Sequence, residues 1–189
     1  KSEPKSALPA PAKTLRGSAS LSVPHFPVTP QGTSKKAYYT KDRQVFKGDF
    51  LAEAWQLGNA EAEYRKALEK NPNNPGAHNG LGKVLFYKTT SSNQNIRNEQ
   101  DGMLTEALQC FLTAIRLQPN YVEARINLGK VYQELNRPSD AMQQFEKAMG
   151  LNPNDSEALE RYGSMLVEKQ EYNKAIPILE KAIKIHSGN

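Results

Sequence analysis

Cysteine is almost missing from this 189-residue chain, and the one copy, Cys110, excludes an internal disulfide framework and any multi-cysteine metal site. Long apolar runs are missing too. No stretch approaches the roughly 18 to 20 apolar residues that cross a bilayer. No transmembrane segment is expected, and a soluble intracellular protein is the simplest reading. The chain starts at Lys1 rather than Met, which leaves open a preceding targeting peptide or anchor and, through it, an organellar or membrane-associated address. Catalytic clusters are absent as well. His25, His78 and His186 stand far apart, with neither metal-ligand spacing nor a cysteine or carboxylate set beside them. Neither an enzyme nor a cofactor or metal is therefore expected, and Cys110, next to Phe111 on a helical pattern, reads as structural.

Acidic residues are scarce in one region only. Residues 1 to 40 hold Lys1, Lys5, Lys13, Arg16, Lys35 and Lys36 against the single acid Glu3, whereas the remaining 149 residues balance 19 basic against 19 acidic. The net charge of +5 thus belongs to this segment. It also carries six of the twelve prolines and six serines and has no helical or alternating apolar period. It is expected to be an extended or disordered arm rather than part of a core. In VPHFPVTP (23 to 30) proline recurs at every third position, which favours a polyproline-like backbone with Val23 and Phe26 available to dock. In KKAYYTK (35 to 41) cations flank Tyr38 and Tyr39, aromatic rings that can stack on bases. A nucleic-acid role would rest on these few charges alone and is the least favoured reading.

The hydrophobic content, 38%, is modest for one compact core and suits a solenoid. Two stretches, NGLGKVL (79 to 85) and INLGKVY (126 to 132), share Leu-Gly-Lys. A phosphate-binding loop needs a further Gly five residues before the Gly-Lys pair and Ser or Thr after it. Val84 and Val131 follow these lysines instead, so the glycines call for a packing explanation. Ala124, Leu128, Val131, Tyr132 and Leu135 fall on one helical face; after an expected turn at Arg137-Pro138-Ser139, Ala141, Phe145, Ala148 and Met149 form a second. This is a helical hairpin. Thirty-four residues on, Ala158, Gly163, Leu166, Ala175, Leu179 and Ala182 repeat it; thirty-four back from its second helix lie Ala107, Phe111, Ala114 and Pro119.

Leu128-Gly129, Tyr132, Ala141, Phe145, Ala148 and Pro153 resemble the tetratricopeptide repeat at that family's own spacing. The resemblance implies an all-α, right-handed superhelical solenoid of about four hairpins over residues 41 to 189, behind the Pro/Ser/Lys-rich arm. Repeats are expected at about 41–74, 75–121, 122–155 and 156–189. The first is irregular, with Lys47 in place of Leu before Gly48 and a turn near Leu57-Gly58-Asn59. The second carries thirteen extra residues near 89–102, expected as an exposed loop or a lengthened helix end. The resemblance also implies that Gly82, Gly129 and Gly163 let paired helices approach, opposite Ala107, Ala141 and Ala175.

Such solenoids hold extended peptides or partner helices in a concave groove lined by first helices, and seldom catalyse. On that face the register places Asn79, Lys83, Asn127, Lys130 and Arg161. Amides can bond peptide groups and cations can pair with acids, so a protein partner with acidic groups or a C-terminal carboxylate is expected. The set is partly similar to the carboxylate clamp of chaperone co-factors, although Asn79 and Lys83 are reversed and Glu157 stands where that clamp has Lys. Glu123 and Glu160 dilute the positive field further. The functional expectation is a non-catalytic adaptor or assembly factor; the alternative is a subunit of a large complex anchored through the arm and the insertion. Finally, Ile176, Ile178, Ile183 and Ile185 take the places of Met142, Gln144, Met149 and Leu151 one repeat earlier. They are expected to leave an apolar patch at the C-terminal end, available to a partner, a second copy or the arm.

Overall fold

The computed structural model describes residues 43–91 and 97–188. The arm, with Val23, Phe26, Tyr38 and Tyr39, lies outside the described residues. The described residues form eight helices and no strand: α1 (Arg43–Glu53), α2 (Leu57–Lys70), α3 (Pro75–Ser91), α4 (Arg97–Leu117), α5 (Val122–Glu134), α6 (Pro138–Leu151), α7 (Ser156–Glu168) and α8 (Tyr172–His186). Consecutive helices pack as the hairpins α1–α2, α3–α4, α5–α6 and α7–α8, and each second helix packs on the first helix of the next hairpin. The result is a right-handed superhelical solenoid, in which every element rests on its neighbours.

The three hairpin turns within the described residues share one mechanism. In the first, the Trp55 amide donates to the Ala52 carbonyl at 3.0 Å and the Gln56 amide to that of Leu51 at 2.8 Å. Asn136 and Arg137, and then Gln170 and Glu171, repeat the pattern. This is the Schellman arrangement, which needs a left-handed residue just past the helix end. Trp55, Asn136 and Gln170 adopt it, with φ of 58°, 54° and 62°. At two of the three junctions between hairpins a side-chain cap starts the next helix: Asn74 accepts from the Ala77 amide at 3.0 Å, and Asp155 from that of Ala158 at 3.1 Å, whereas α5 starts after Tyr121 without one.

Three sequence expectations need correction. First, the glycines of the first helices face large side chains, not the opposing alanines. A Cβ on Gly82 would lie 2.8 Å from the Phe111 ring, one on Gly129 2.5 Å from the Phe145 ring, and one on Gly163 2.5 Å from Leu179. Each glycine is a notch that admits a large side chain of the second helix, while Ala107, Ala141 and Ala175 are fully buried. Second, the first hairpin turns at Ala54-Trp55-Gln56; Leu57, Gly58 and Asn59 already belong to α2. Third, Pro138 is the first residue of α6 rather than part of the turn, a position where its missing amide costs nothing. The thirteen-residue insertion lengthens helices on both sides: α3 has 17 residues against 13 in α5, and α4 has 21 against 14 in α6.

At the C-terminal end Ile176 and Ile183 are exposed, at 55% and 67%, with Tyr172 beside them, whereas Ile178 and Ile185 are half-buried. The four isoleucines therefore divide between two faces of α8, and only one of those faces is open.

Candidate binding groove

Helical spacing brings polar and aromatic residues of α1, α3 and α5 to one side. Asp49 and Glu53 of α1, Asn79, Lys83 and Tyr87 of α3, and Glu123 at the start of α5 line one groove of about 970 Å³, with Trp55 at its rim and Tyr64 and Tyr121 in its wall. Tyr64 reaches it from α2 because Gly48 and Gly80 lack side chains where its ring passes. Its hydroxyl donates to Asp49 Oδ1 at 2.6 Å. Burial, and then this carboxylate, push the Tyr64 phenol well above its ordinary range.

Four of the five sequence-chosen groove residues come together, and they bond mainly to the protein itself. Asn79 Nδ2 donates to the Tyr121 hydroxyl at 3.3 Å, and Asn127 Nδ2 donates to Asn79 Oδ1 at 3.2 Å. Lys130 Nζ donates to Asn127 Oδ1 at 3.4 Å and pairs with Glu157. Lys83 Nζ pairs with Glu123 at 2.9 Å. Asn79, on the groove's floor, and Asn127, beyond its lining, are buried, and the polar chain they belong to couples the second, third and fourth hairpins. Burial works against the charge on Lys83, but the Glu123 carboxylate outweighs it and lifts the ammonium above its ordinary value. Arg161 stands apart on α7, exposed, outside the groove lining and without an ion-pair partner among the described residues.

Sequence reasoning missed the aromatic part. Trp55 is 61% exposed, and its ring centroid lies 5.5 Å from that of Tyr87, with the planes tilted by 37°. One signal was available: Tyr87 follows Lys83 by one helical turn and so shares its face. Trp55 gave none, because a left-handed C′ position ordinarily carries Gly or Asn.

Away from the groove, Cys110 is buried and its thiol is pushed up to about 12 by burial, which suppresses the thiolate needed for reactivity. His78 donates to the Pro72 carbonyl at 2.8 Å, and His186 meets Glu160 at 2.7 Å. Among the described residues no three His, Cys, Asp or Glu side chains converge as metal ligands. None of the described helices is long and apolar enough to cross a membrane.

Stacked hairpins with a 34-residue period, a glycine notch and a large partner residue define a tetratricopeptide-repeat protein, the fold of protein–protein interaction adaptors. The tetratricopeptide-repeat model itself matches residues 156–188. Within that class the chain belongs to the family described as Regulator of microtubule dynamics protein 1-3, whose model matches residues 62–161, more than half of the chain. No curated protein matches the chain. Among solved structures, it is similar to the MamA RS-1 ArsTM double mutant, at 20% identity and a TM-score of 0.62 over 80% of each chain. It is also similar to TTC0263, a thermophilic TPR protein in Thermus thermophilus, at 16% identity and a TM-score of 0.67 over 79% of this chain and 77% of that one. A monomeric mutant of IFIT1 with Gppp-AAAA matches at 20% identity and a TM-score of 0.67, over 75% of this chain but 34% of its own. At these identities the likeness is one of fold.

Proposed function

We propose that the chain is a non-catalytic adaptor that holds an extended segment of a partner protein in the groove along α1, α3 and α5. The observation that carries this reading is the open, 970 Å³ groove whose walls combine exposed aromatic surface with hydrogen-bonding side chains. Aromatic surface supplies contact area, and polar groups bond the backbone of an extended chain. The polar floor is already satisfied internally, so a ligand meets a preformed surface and little ordering is left for binding to offset. Partner capture by the protein and by a variant carrying Trp55→Ala, Lys83→Ala and Tyr87→Ala, all at the groove, tests the assignment. Loss of partners with retained helicity is expected; a variant that keeps every partner places binding outside this face. Family membership favours a partner at microtubules. Co-sedimentation with assembled microtubules is the direct measurement, and a chain left wholly in the supernatant sets that target aside.

A further inference from the structure

We propose that the end of the groove between α1 and α3 takes a cationic side chain, so that the segment held there is basic, bearing Lys or Arg. This rests on the groove reading above and reverses the sign of ligand that the lysines suggest on their own. Three carboxylates, Asp49, Glu53 and Glu123, line the groove against one ammonium, Lys83. That ammonium is already held by Glu123 at 2.9 Å. Glu53 is exposed and has no ion-pair partner among the described residues. An acidic ligand would find the groove's cation engaged and would face the exposed carboxylate of Glu53. A cationic side chain meets the opposite field. Burial first, and then the Asp49 and Glu123 carboxylates, hold the Tyr64 and Tyr121 hydroxyls neutral, as expected of a region of negative potential.

The aromatic pair gives the field a shape. Trp55, exposed and packed against Tyr87 at 5.5 Å with the planes tilted by 37°, leaves its outer ring face open to a cation, and an ammonium or guanidinium over such a face is attracted to the π-system. Trp55 is held at φ 58°, a conformation that disfavours a bulky side chain and that Gly would adopt freely. A stacked nucleobase would also use the rings, but its phosphates would be repelled by the three carboxylates.

Trp55 is the only tryptophan in the chain, so its emission reports occupancy of this slot directly. The test is selection of random nonapeptides on the immobilised full chain, followed by titration of the selected peptides against Trp55 emission. Enrichment of Lys or Arg is expected, with an emission change on binding and affinity that falls as salt is added. Replacing the key Arg by citrulline, its neutral isostere, should weaken binding by about three- to thirty-fold. Trp55→Gly relieves the left-handed backbone and should keep the fold while losing affinity by a similar factor; Glu53→Lys, at an exposed and unpaired site, should do likewise. Enrichment of Asp, Glu or C-terminal carboxylates overturns the cationic slot and leaves the groove reading standing. Basic peptides that bind Trp55→Gly as tightly as the parent overturn the placement. Failure to enrich any peptide removes the groove reading itself. A Trp55 emission change produced by Lys35→Gln and Lys36→Gln without peptide would give the slot to the chain's own basic segment and overturn the assignment to a partner.

Discussion

Gly129 and Gly102 are both helical glycines, yet they stand in opposite circumstances. A Cβ on Gly129 would lie 2.5 Å from the Phe145 ring, whereas nothing lies within 4 Å of the same point on Gly102 in α4. Gly129→Ala should therefore cost about 1–3 kcal/mol, because Phe145 is fully buried and has nowhere to retreat. Gly102→Ala should stabilise by about 0.5–1 kcal/mol, because only backbone entropy changes. Urea denaturation of the two variants measures both, and equal effects would mean that the glycine notch is not what sets the helix separation. The sign follows from the neighbour, not from the residue type.

At the scale of the hairpin, the ring of Tyr64 performs the same task with a hydroxyl attached. It fills the space left by Gly48 and Gly80 and reaches Asp49, tying α1, α2 and α3 together. Burial raises the Tyr64 phenol and pushes that of Tyr121 up to about 12. A phenol ionises near 10 in the unfolded chain, so the stability these groups contribute is complete below about pH 10 and is lost as pH rises above it. Among the eight tyrosines, Tyr64 and Tyr121 should stay neutral below about pH 11 in a spectrophotometric titration of the folded chain. Tyr64→Phe should flatten the alkaline loss of stability, and an unchanged slope would mean that Tyr64 is solvated. The hairpins themselves were legible in the sequence, since Ala141, Phe145, Ala148 and their counterparts repeat at fixed spacing and, apart from the half-buried Leu179, lie in the core. Two things were not. The ion pair of Lys83 joins residues 40 positions apart, across two hairpins whose relative rotation no local pattern states. The rim position of Trp55 depends on a left-handed turn that carries no glycine to announce it.

Over the whole molecule, the solenoid distributes stability unevenly along its axis. Helix α6 is packed between α5 and α7, and there Met142 and Met149 lie against the cluster built around Phe145, Ala158 and Met165. Helix α8 packs on α7, and the matching residues, Ile176 and Ile183, are exposed. In a chain of nearest-neighbour interfaces, an element with one interface opens before an element with two. Amide exchange should therefore be fastest in α8 and slowest through α4, α5 and α6. Substitution should follow the same gradient. Phe145→Ala opens a cavity inside the array and should cost about 3–5 kcal/mol. Its loss of protection should spread to α7 and α8, which are held to the other hairpins through α6. Ile183→Lys should change stability by no more than about 0.5 kcal/mol, because the side chain already faces water. A loss above about 1 kcal/mol for Ile183→Lys, or exchange in α8 as slow as in α5, would show that this face is covered in solution and that the array does not open from its C-terminal hairpin.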